Sequence, residues 1–243
     1  PDVGKSHLKR TFEQAAYFSV RNDGSADRLF EQIGVEVPAI PDPGFHLGDL
    51  GKDAAVPNEP FVLVQVANDK PTNRFGDRRS AERFVSEMRV VVLDLAKRYR
   101  VVLAPHVWDD VAMSRTLCEG VRNAEVWQFS NFAFDNCRES LNYYRRAEFV
   151  LAMRGHGQIL PIGFGTPVIA LANHPKHAGL MNELGLESHL VDVRHPRLSA
   201  ELAKVIETIE SGRDFYKRQL ESIKDSLDAA TEAAMVGVRT ALS

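Results

Sequence analysis

Cysteine is scarce: the 243 residues hold only Cys118 and Cys137, and neither lies in a CxxC pair. That excludes a disulfide framework and makes a reducing setting such as the cytoplasm, with the inner face of the membrane as an option, the expected localisation. Long apolar runs are also lacking. The longest, such as residues 61–67 and 90–93, fall far short of the ~20 residues that span a bilayer. Residues 1–20 carry Lys5, Lys9, Arg10 and Glu13 without an apolar stretch, so neither a transmembrane segment nor a signal peptide is expected. No sign of charge dominates, with 30 Lys+Arg against 33 Asp+Glu. Without a clustered basic surplus, nucleic acid is not an expected partner. The eight histidines form no HExxH and no zinc-type Cys/His pairing, so no metal is expected. A GxxxxGK[ST] loop, a GxGxxG turn after a strand and a GxSxG elbow are all missing, which takes away the usual support for kinase, dehydrogenase and hydrolase readings. There is no internal repeat.

What is present is an alternation. Residues 17–20, 61–67, 101–104, 126–129, 149–153, 168–172 and 190–193 are β-branched or aromatic runs that end at polar, Pro or Gly residues. Between them lie stretches of helical period at 80–99 (behind a possible Ser80 cap), 135–147 and 199–209. This rhythm predicts an α/β fold with a Rossmann-like, mainly parallel sheet flanked by helices. Residues 35–60 contain Pro38, Pro41, Pro43, Pro57 and Pro60; they predict a surface linker with little regular structure. From about residue 214, Tyr216, Leu220, Ile223, Leu227, Ala230 and Ala234 form one apolar stripe on a long helix. The division expected is residues 1–57 as the remnant of a first domain plus linker, 58–213 as the Rossmann-like domain and 214–243 as an amphipathic helix.

In an open α/β sheet, ligands bind beyond the carboxyl ends of the strands. Here those positions are polar: Arg21 to Ser25, then His106, Trp108 and Asp109, then Arg154 to Gly157, then Asn173 to Lys176. The block from Met153 to Ala170 is the most informative. Gly155 and Gly157 let backbone and ligand approach closely, and Arg154 and His156 beside a helix N-terminus suit a phosphate or carboxylate. An equal alternative is a tight strand-to-helix turn with Arg154 in a surface ion pair. Arg21 taken alone reads better as a solvated turn in which Asp23 or Ser25 caps the next helix. His106 with Asp109 could orient a substrate hydroxyl, though a structural role is commoner, and Lys176 alone reads as a surface lysine.

Together, Val20-Arg-Asn-Asp-Gly-Ser25, Asp42-Pro-Gly-Phe45, Ala104-Pro-His106, Arg154-Gly-His-Gly157, Gly165-Thr-Pro-Val-Ile169, Lys176 and Glu183-Leu-Gly-Leu186 resemble the polysaccharide pyruvyl transferase family. The family usually has a leucine where Gly155 stands. The resemblance covers roughly residues 17–186 and implies the C-terminal half of a GT-B fold. It further implies transfer of pyruvate from phosphoenolpyruvate, as donor substrate and with no cofactor, onto a sugar of a cell-surface polysaccharide as a ketal. Catalytic roles would fall to His156 and Arg154, and substrate binding to Arg21, His106, Gly155, Gly157 and Lys176. Residues 1 to about 50 resemble only the end of the family's first domain, so a fragment is expected, and Leu220, Ile223 and Leu227 are then expected to face a second copy in a homo-oligomer. A nucleotide-sugar-dependent GT-B glycosyltransferase and a non-catalytic glycan-binding or assembly module remain the alternatives.

Overall fold

The computed structural model describes residues 2–127 and 137–242. A short helix α1 (Asp2–Gln14) leads to β1 (Val20–Arg21), α2 (Ser25–Ile33) and β2 (Ala39–Ile40), and β1 and β2 pair in parallel as a two-stranded sheet. The main sheet has six strands: β3 (Phe61–Gln65), β4 (Arg100–Leu103), β5 (Ala124–Val126), β6 (Val150–Ala152), β7 (Val168–Ala172) and β8 (Leu190–Asp192). Every pairing in it is parallel, in the order β5-β4-β3-β6-β7-β8. The expected α/β, Rossmann-like architecture is therefore the one observed. Helices cover both faces, and all five residues of β3 are buried, which is why these strands read as continuous apolar runs instead of alternating ones.

The chain runs outward from β3 to β5, then returns to the other side of β3 and runs outward again from β6 to β8. Between β3 and β6 two crossovers leave in opposite directions. Their helices diverge there and open a crevice beyond the strand ends.

The connecting helices are α3 (Pro71–Phe75), α4 (Arg78–Leu95), α5 (Trp108–Cys118), α6 (Cys137–Arg146), α7 (Gly155–Phe164), α8 (Pro175–Glu183) and α9 (Leu198–Ser211). The cap expected at Ser80 is corrected: α4 starts two residues earlier, and the Asp77 carboxylate accepts from the Ser80 N–H at 2.6 Å. The fourth predicted strand sits at Ala124–Val126, and residues 128 and 129 of that expectation lie outside the described residues. Positions 135 and 136, expected to begin α6, lie outside them as well.

The proline-rich stretch has little regular structure, only β2 and a single 3-10 turn at Pro43–Phe45. It does not simply run over the surface, however. Phe45 is 1% exposed, and a Cβ on Gly163 of α7 would stand only 2.6 Å from the Phe45 carbonyl oxygen. Glycine at 163 lets the two backbones touch, and the turn is seated against α7.

The last helix, α10 (Arg213–Leu242), spans roughly 45 Å at 1.5 Å per residue. The first half of its stripe is buried within the molecule, where Tyr216, Leu220 and Leu227 belong to the core and Ile223 packs against it, while Ala230 is exposed and Ala234 half-buried. The expectation that Leu220, Ile223 and Leu227 face a second copy is overturned, because α7, α9 and β2 cover them. His46 fastens the helix further, with Nδ1 2.8 Å from Asp228 Oδ1 and Nε2 2.8 Å from Thr231 Oγ1. Among the described residues no helix is long and apolar enough to cross a membrane.

Candidate functional site

The crevice between β3 and β6 is built around two buried polar side chains. Gln65 ends β3 fully buried; its Oε1 accepts from the backbone N–H of Arg154 at 2.8 Å and of Met153 at 3.2 Å, and its Nε2 donates to the Val66 carbonyl at 2.8 Å. Asp110, in the first turn of α5, is also fully buried. Its carboxylate accepts from Arg154 Nε at 2.8 Å and Nη2 at 2.7 Å, and from the backbone N–H of Asn68 at 3.1 Å and of His106 at 3.2 Å. One carboxylate thus ties together the chain leaving β3, β4 and β6. Arg154 Nη2 also donates to Asp69 Oδ1 at 2.5 Å, and Asp69 is held in turn by Arg74 at 2.6 Å. Both guanidiniums keep the Asp69 carboxyl below its usual range against the opposing effect of burial.

Arg154 therefore stands where expected, but its bidentate fork is spent on Asp110, in a half-buried network instead of a surface pair. It follows that Arg154 sets the position of the strand end, and one guanidinium edge is committed before any ligand arrives.

Arg21 is similarly engaged. Its Nε and Nη2 donate to Asp23 Oδ2 at 3.1 and 2.7 Å, and Nη1 donates to Asp42 Oδ2 at 3.1 Å. Asp42, 8% exposed, also caps the turn at Pro43–Phe45 by accepting from the Gly44 N–H at 2.9 Å. Its Oδ1 lies 3.6 Å from His156 Nε2, within ion-pair reach and longer than a hydrogen bond. Asp42 and His156, 114 residues apart in the chain, thus form an imidazole–carboxylate pair whose imidazole is 61% exposed.

The loop bearing Arg21 is clamped by α8. A Cβ on Gly179 would lie 2.5 Å from the Asp23 carbonyl oxygen, and Gly24, at φ 75° where glycine is favoured, donates its N–H to Glu183 at 2.7 Å. Arg21, Asn22, Asp23, Gly155, Ile159, Lys176, His177 and Leu180 line the resulting cavity of about 10 Å³, room for one water. Gly155 and Gly157 differ here. A Cβ at 155 would meet open space, whereas at 157 it would press on Ala152 at 3.0 Å and on Gln65. Gly157 is thus required by packing, and Gly155 leaves room in the crevice.

The electrostatics single out the first turn of α8. Lys176 forms no ion pair among the described residues; burial and then Arg21 press its ammonium below its usual range, Arg74 and Arg154 add to this, and Asp23 opposes it. His174, whose Nδ1 caps α8 by accepting from the Lys176 N–H, is pushed down by burial, Lys176, Arg28 and Arg74. His177 is 2% exposed, its Nδ1 has no hydrogen-bond partner, and burial, Lys176, His174 and Arg74 push it down to about 3. Burial first, and then neighbouring cations, disfavour the protonated forms of all three groups, and Asp23 is the carboxylate that opposes this at Lys176 and His174. The N-termini of α7 and α8 add positive potential here, and no side chain caps α7.

His106 donates or accepts at Tyr144 Oη through Nε2 at 2.6 Å, and burial holds it down to about 4. His189, against the Tyr216 ring at 4.2 Å, is likewise held to about 4 by burial. These histidines are neutral when folded and charge when unfolded, so the unfolded state binds more protons below about pH 6.5. Stability is therefore full above that pH and is lost as pH falls toward 4. At pH 5 each of His106, His177 and His189 is expected to cost about 2 kcal/mol. Urea titrations from pH 7 to 4.5 should show this fall, and His189→Gln should reduce the slope by about a third of a three-proton response. A stability independent of pH over that range would contradict the assignment.

The structure thus brings Arg21, Arg154, Gly155, His156 and Lys176 to one edge. The partners of Arg21, Arg154 and His156, namely Asp42, Gln65, Asp69 and Asp110, are not legible as such in the sequence. The only signal was the position of these residues at strand ends or helix starts. Among the described residues, no group of His, Cys, Asp and Glu could hold a metal ion.

A family model described as polysaccharide pyruvyl transferase matches residues 1–175. A comparison with curated proteins gives no match. Among solved structures, one from Listeria monocytogenes described as a UDP-N-acetylglucosamine 2-epimerase is similar at 13% identity and a TM-score of 0.51, over 83% of this chain and 48% of that one. The glycotransferase of kitacinnamycin is similar at 18% identity and a TM-score of 0.46, over 77% of this chain and 45% of that one. The chain spans about half the length of these structures, and the likeness is one of fold.

Proposed function

Because the chain belongs to the polysaccharide pyruvyl transferase family, we propose that this crevice binds phosphoenolpyruvate and passes its pyruvyl group to two hydroxyls of a glycan. The observation that carries the reading is the place of Lys176, in the first turn of α8 on the cavity that Arg21 and Gly155 also line, with no ion pair of its own among the described residues. A phosphate or carboxylate there gains a direct partner, and its charge offsets the burial that presses the Lys176 ammonium below its usual range.

The reaction needs a proton on the methylene carbon, which turns the enol phosphate into an oxocarbenium-like centre at the neighbouring carbon. A glycan hydroxyl attacks that centre, the bond to the phosphate oxygen breaks, and the second hydroxyl closes the ketal. Of the two protons the hydroxyls lose, one balances the new methyl group and the other leaves with phosphate. His156, exposed to the crevice and oriented by Asp42, is placed to move these protons. Lys176 and the first amides of α7 hold the leaving phosphate. Arg154, fixed by Asp110, supports the loop and its charge.

Thermal shift provides the test. Phosphoenolpyruvate at a hundred times its Kd should stabilise the protein by about 2.7 kcal/mol, a rise in Tm of roughly 5–10 °C for a chain of this size. Lys176→Met should abolish the rise without lowering the Tm of the free protein. A larger rise with uridine diphosphate or its sugars would favour a nucleotide-sugar glycosyltransferase. Glycan binding with no response to phosphoenolpyruvate would favour a non-catalytic module.

A further inference from the structure

Arg74 and Arg154 converge on a single oxygen. Asp69 Oδ1 accepts from Arg154 Nη2 at 2.5 Å and from Arg74 Nη2 and Nε at 2.6 and 3.0 Å, so three charge-assisted bonds meet at one atom. Each guanidinium also has a hold of its own. Arg154 is fixed by Asp110. Arg74 Nη1 donates to Asn173 Oδ1 at 3.1 Å, and Asn173 Nδ2 donates in turn to the Met153 carbonyl at 3.2 Å. The two forks are thus tied to the ends of β6 and β7 by bonds that do not involve the Asp69 side chain.

Asp69 is the movable member of the three. Its side chain is 25% exposed, more than that of either arginine. Its main chain is held separately, since Arg74 Nε donates to the Asp69 carbonyl at 2.8 Å, and side-chain rotation alone can carry the carboxylate away. Tethered to the chain, Asp69 presents one oxygen to both forks. A free carboxylate can turn one oxygen to each. The place also adjoins the donor corner: Asn173 lies three residues before Lys176, and Arg74 and Arg154 both press on the Lys176 ammonium.

We propose that Arg74, together with Arg154, forms a subsite for the carboxylate of the donor, and that Asp69 fills this subsite in the free protein and gives way when the donor binds. The identity of the ligand rests on the pyruvyl-transfer reading, because phosphoenolpyruvate carries two anionic groups and Lys176 with the α7 amides accounts for the phosphate alone. The exchange is of like for like. One carboxylate leaves as another arrives, and both guanidiniums stay paired in the free and the bound protein. An internal occupant lowers affinity in proportion to the time it spends in place, so a subsite open a tenth of the time binds about 10-fold more weakly than one always open.

Calorimetric titration of the whole chain with phosphoenolpyruvate, pyruvate and inorganic phosphate tests this. Asp69→Asn should bind both carboxylates about 10-fold more tightly than the wild type, and inorganic phosphate, held at Lys176, should gain far less. Arg74→Lys keeps the charge without the fork, and it should weaken both carboxylates several-fold while leaving inorganic phosphate unchanged; this arm does not depend on the folding of the Asp69 variant. In Asp69→Ala, acetate should raise the Tm where chloride at the same ionic strength does not. Equal or weaker binding of phosphoenolpyruvate by Asp69→Asn makes Asp69 a structural clamp and overturns the proposal. An equal gain for all three ligands makes it a repelling charge instead of an occupant and overturns it too, as does binding of neither carboxylate to Asp69→Asn. Phosphoenolpyruvate bound by the wild type with no gain in the variant sinks the subsite and leaves the donor reading. A gain for pyruvate in Asp69→Asn with no binding of phosphoenolpyruvate by either protein sinks the donor reading and leaves the subsite.

Discussion

Asp110→Ala is expected to destabilise the protein by about 3–5 kcal/mol, because it strands the Arg154 guanidinium in a half-buried site without its bidentate partner. It also leaves the N–H groups of Asn68 and His106 without the acceptor they use. Total stability of a domain is commonly about 5–15 kcal/mol, so this single change approaches the whole. Urea denaturation followed by circular dichroism measures it, with a Tm lower by on the order of 10 °C. Asp110→Asn should fall between, since the amide still accepts hydrogen bonds but carries no charge. The double variant Asp110→Leu/Arg154→Met should recover part of the loss, because no charge is left buried. A cost below about 1 kcal/mol for Asp110→Ala would mean that Asp69 alone suffices to hold Arg154, and that the three strand ends are not tied through this carboxylate.

The same network shows where sequence reading stops. Residues 61–67 and 149–153 were legible as strands because burial on both faces demands continuous apolar side chains, and Gly or Pro marks their ends. The identity of the edge followed from a parallel sheet. The partners were not legible. Asp109 and Asp110 are adjacent and chemically identical, and only the rotation of α5 decides that one is exposed and the other buried. Gln65 is the one polar residue inside the apolar run 61–67, and nothing in that run shows that it is fully buried and accepts from the backbone N–H of Arg154. The seating of Phe45 on Gly163 depends on two segments far apart in the chain, and no local propensity records such a contact. Nor does periodicity show β2, whose two residues sit among prolines. Lys176 was legible only as a lysine after a strand; its distinction is its partial burial beside Arg21, which presses its ammonium below the usual range.

The residue assigned to the chemistry is the one least tied into this scaffold. His156 is exposed, and among the described residues its one ion-pair partner is Asp42 at 3.6 Å. His156→Ala should therefore leave the fold and its Tm unchanged while lowering turnover by about 10²–10⁴-fold, the range for loss of one general acid–base group. Phosphate released from phosphoenolpyruvate in the presence of acceptor glycan, measured on the whole protein, is the readout. On the proposed assignment of the donor to Lys176 and the α7 amides, the rise in Tm on adding phosphoenolpyruvate should persist in His156→Ala and vanish in Lys176→Met. The pair of variants thereby separates proton transfer from binding. Added imidazole should restore part of the His156→Ala rate, since Gly155 leaves space beside the missing ring. If folded His156→Ala releases phosphate at the wild-type rate, the proton comes from elsewhere in the crevice, and the imidazole–carboxylate pair serves only to seat the turn at Pro43–Phe45 against α7.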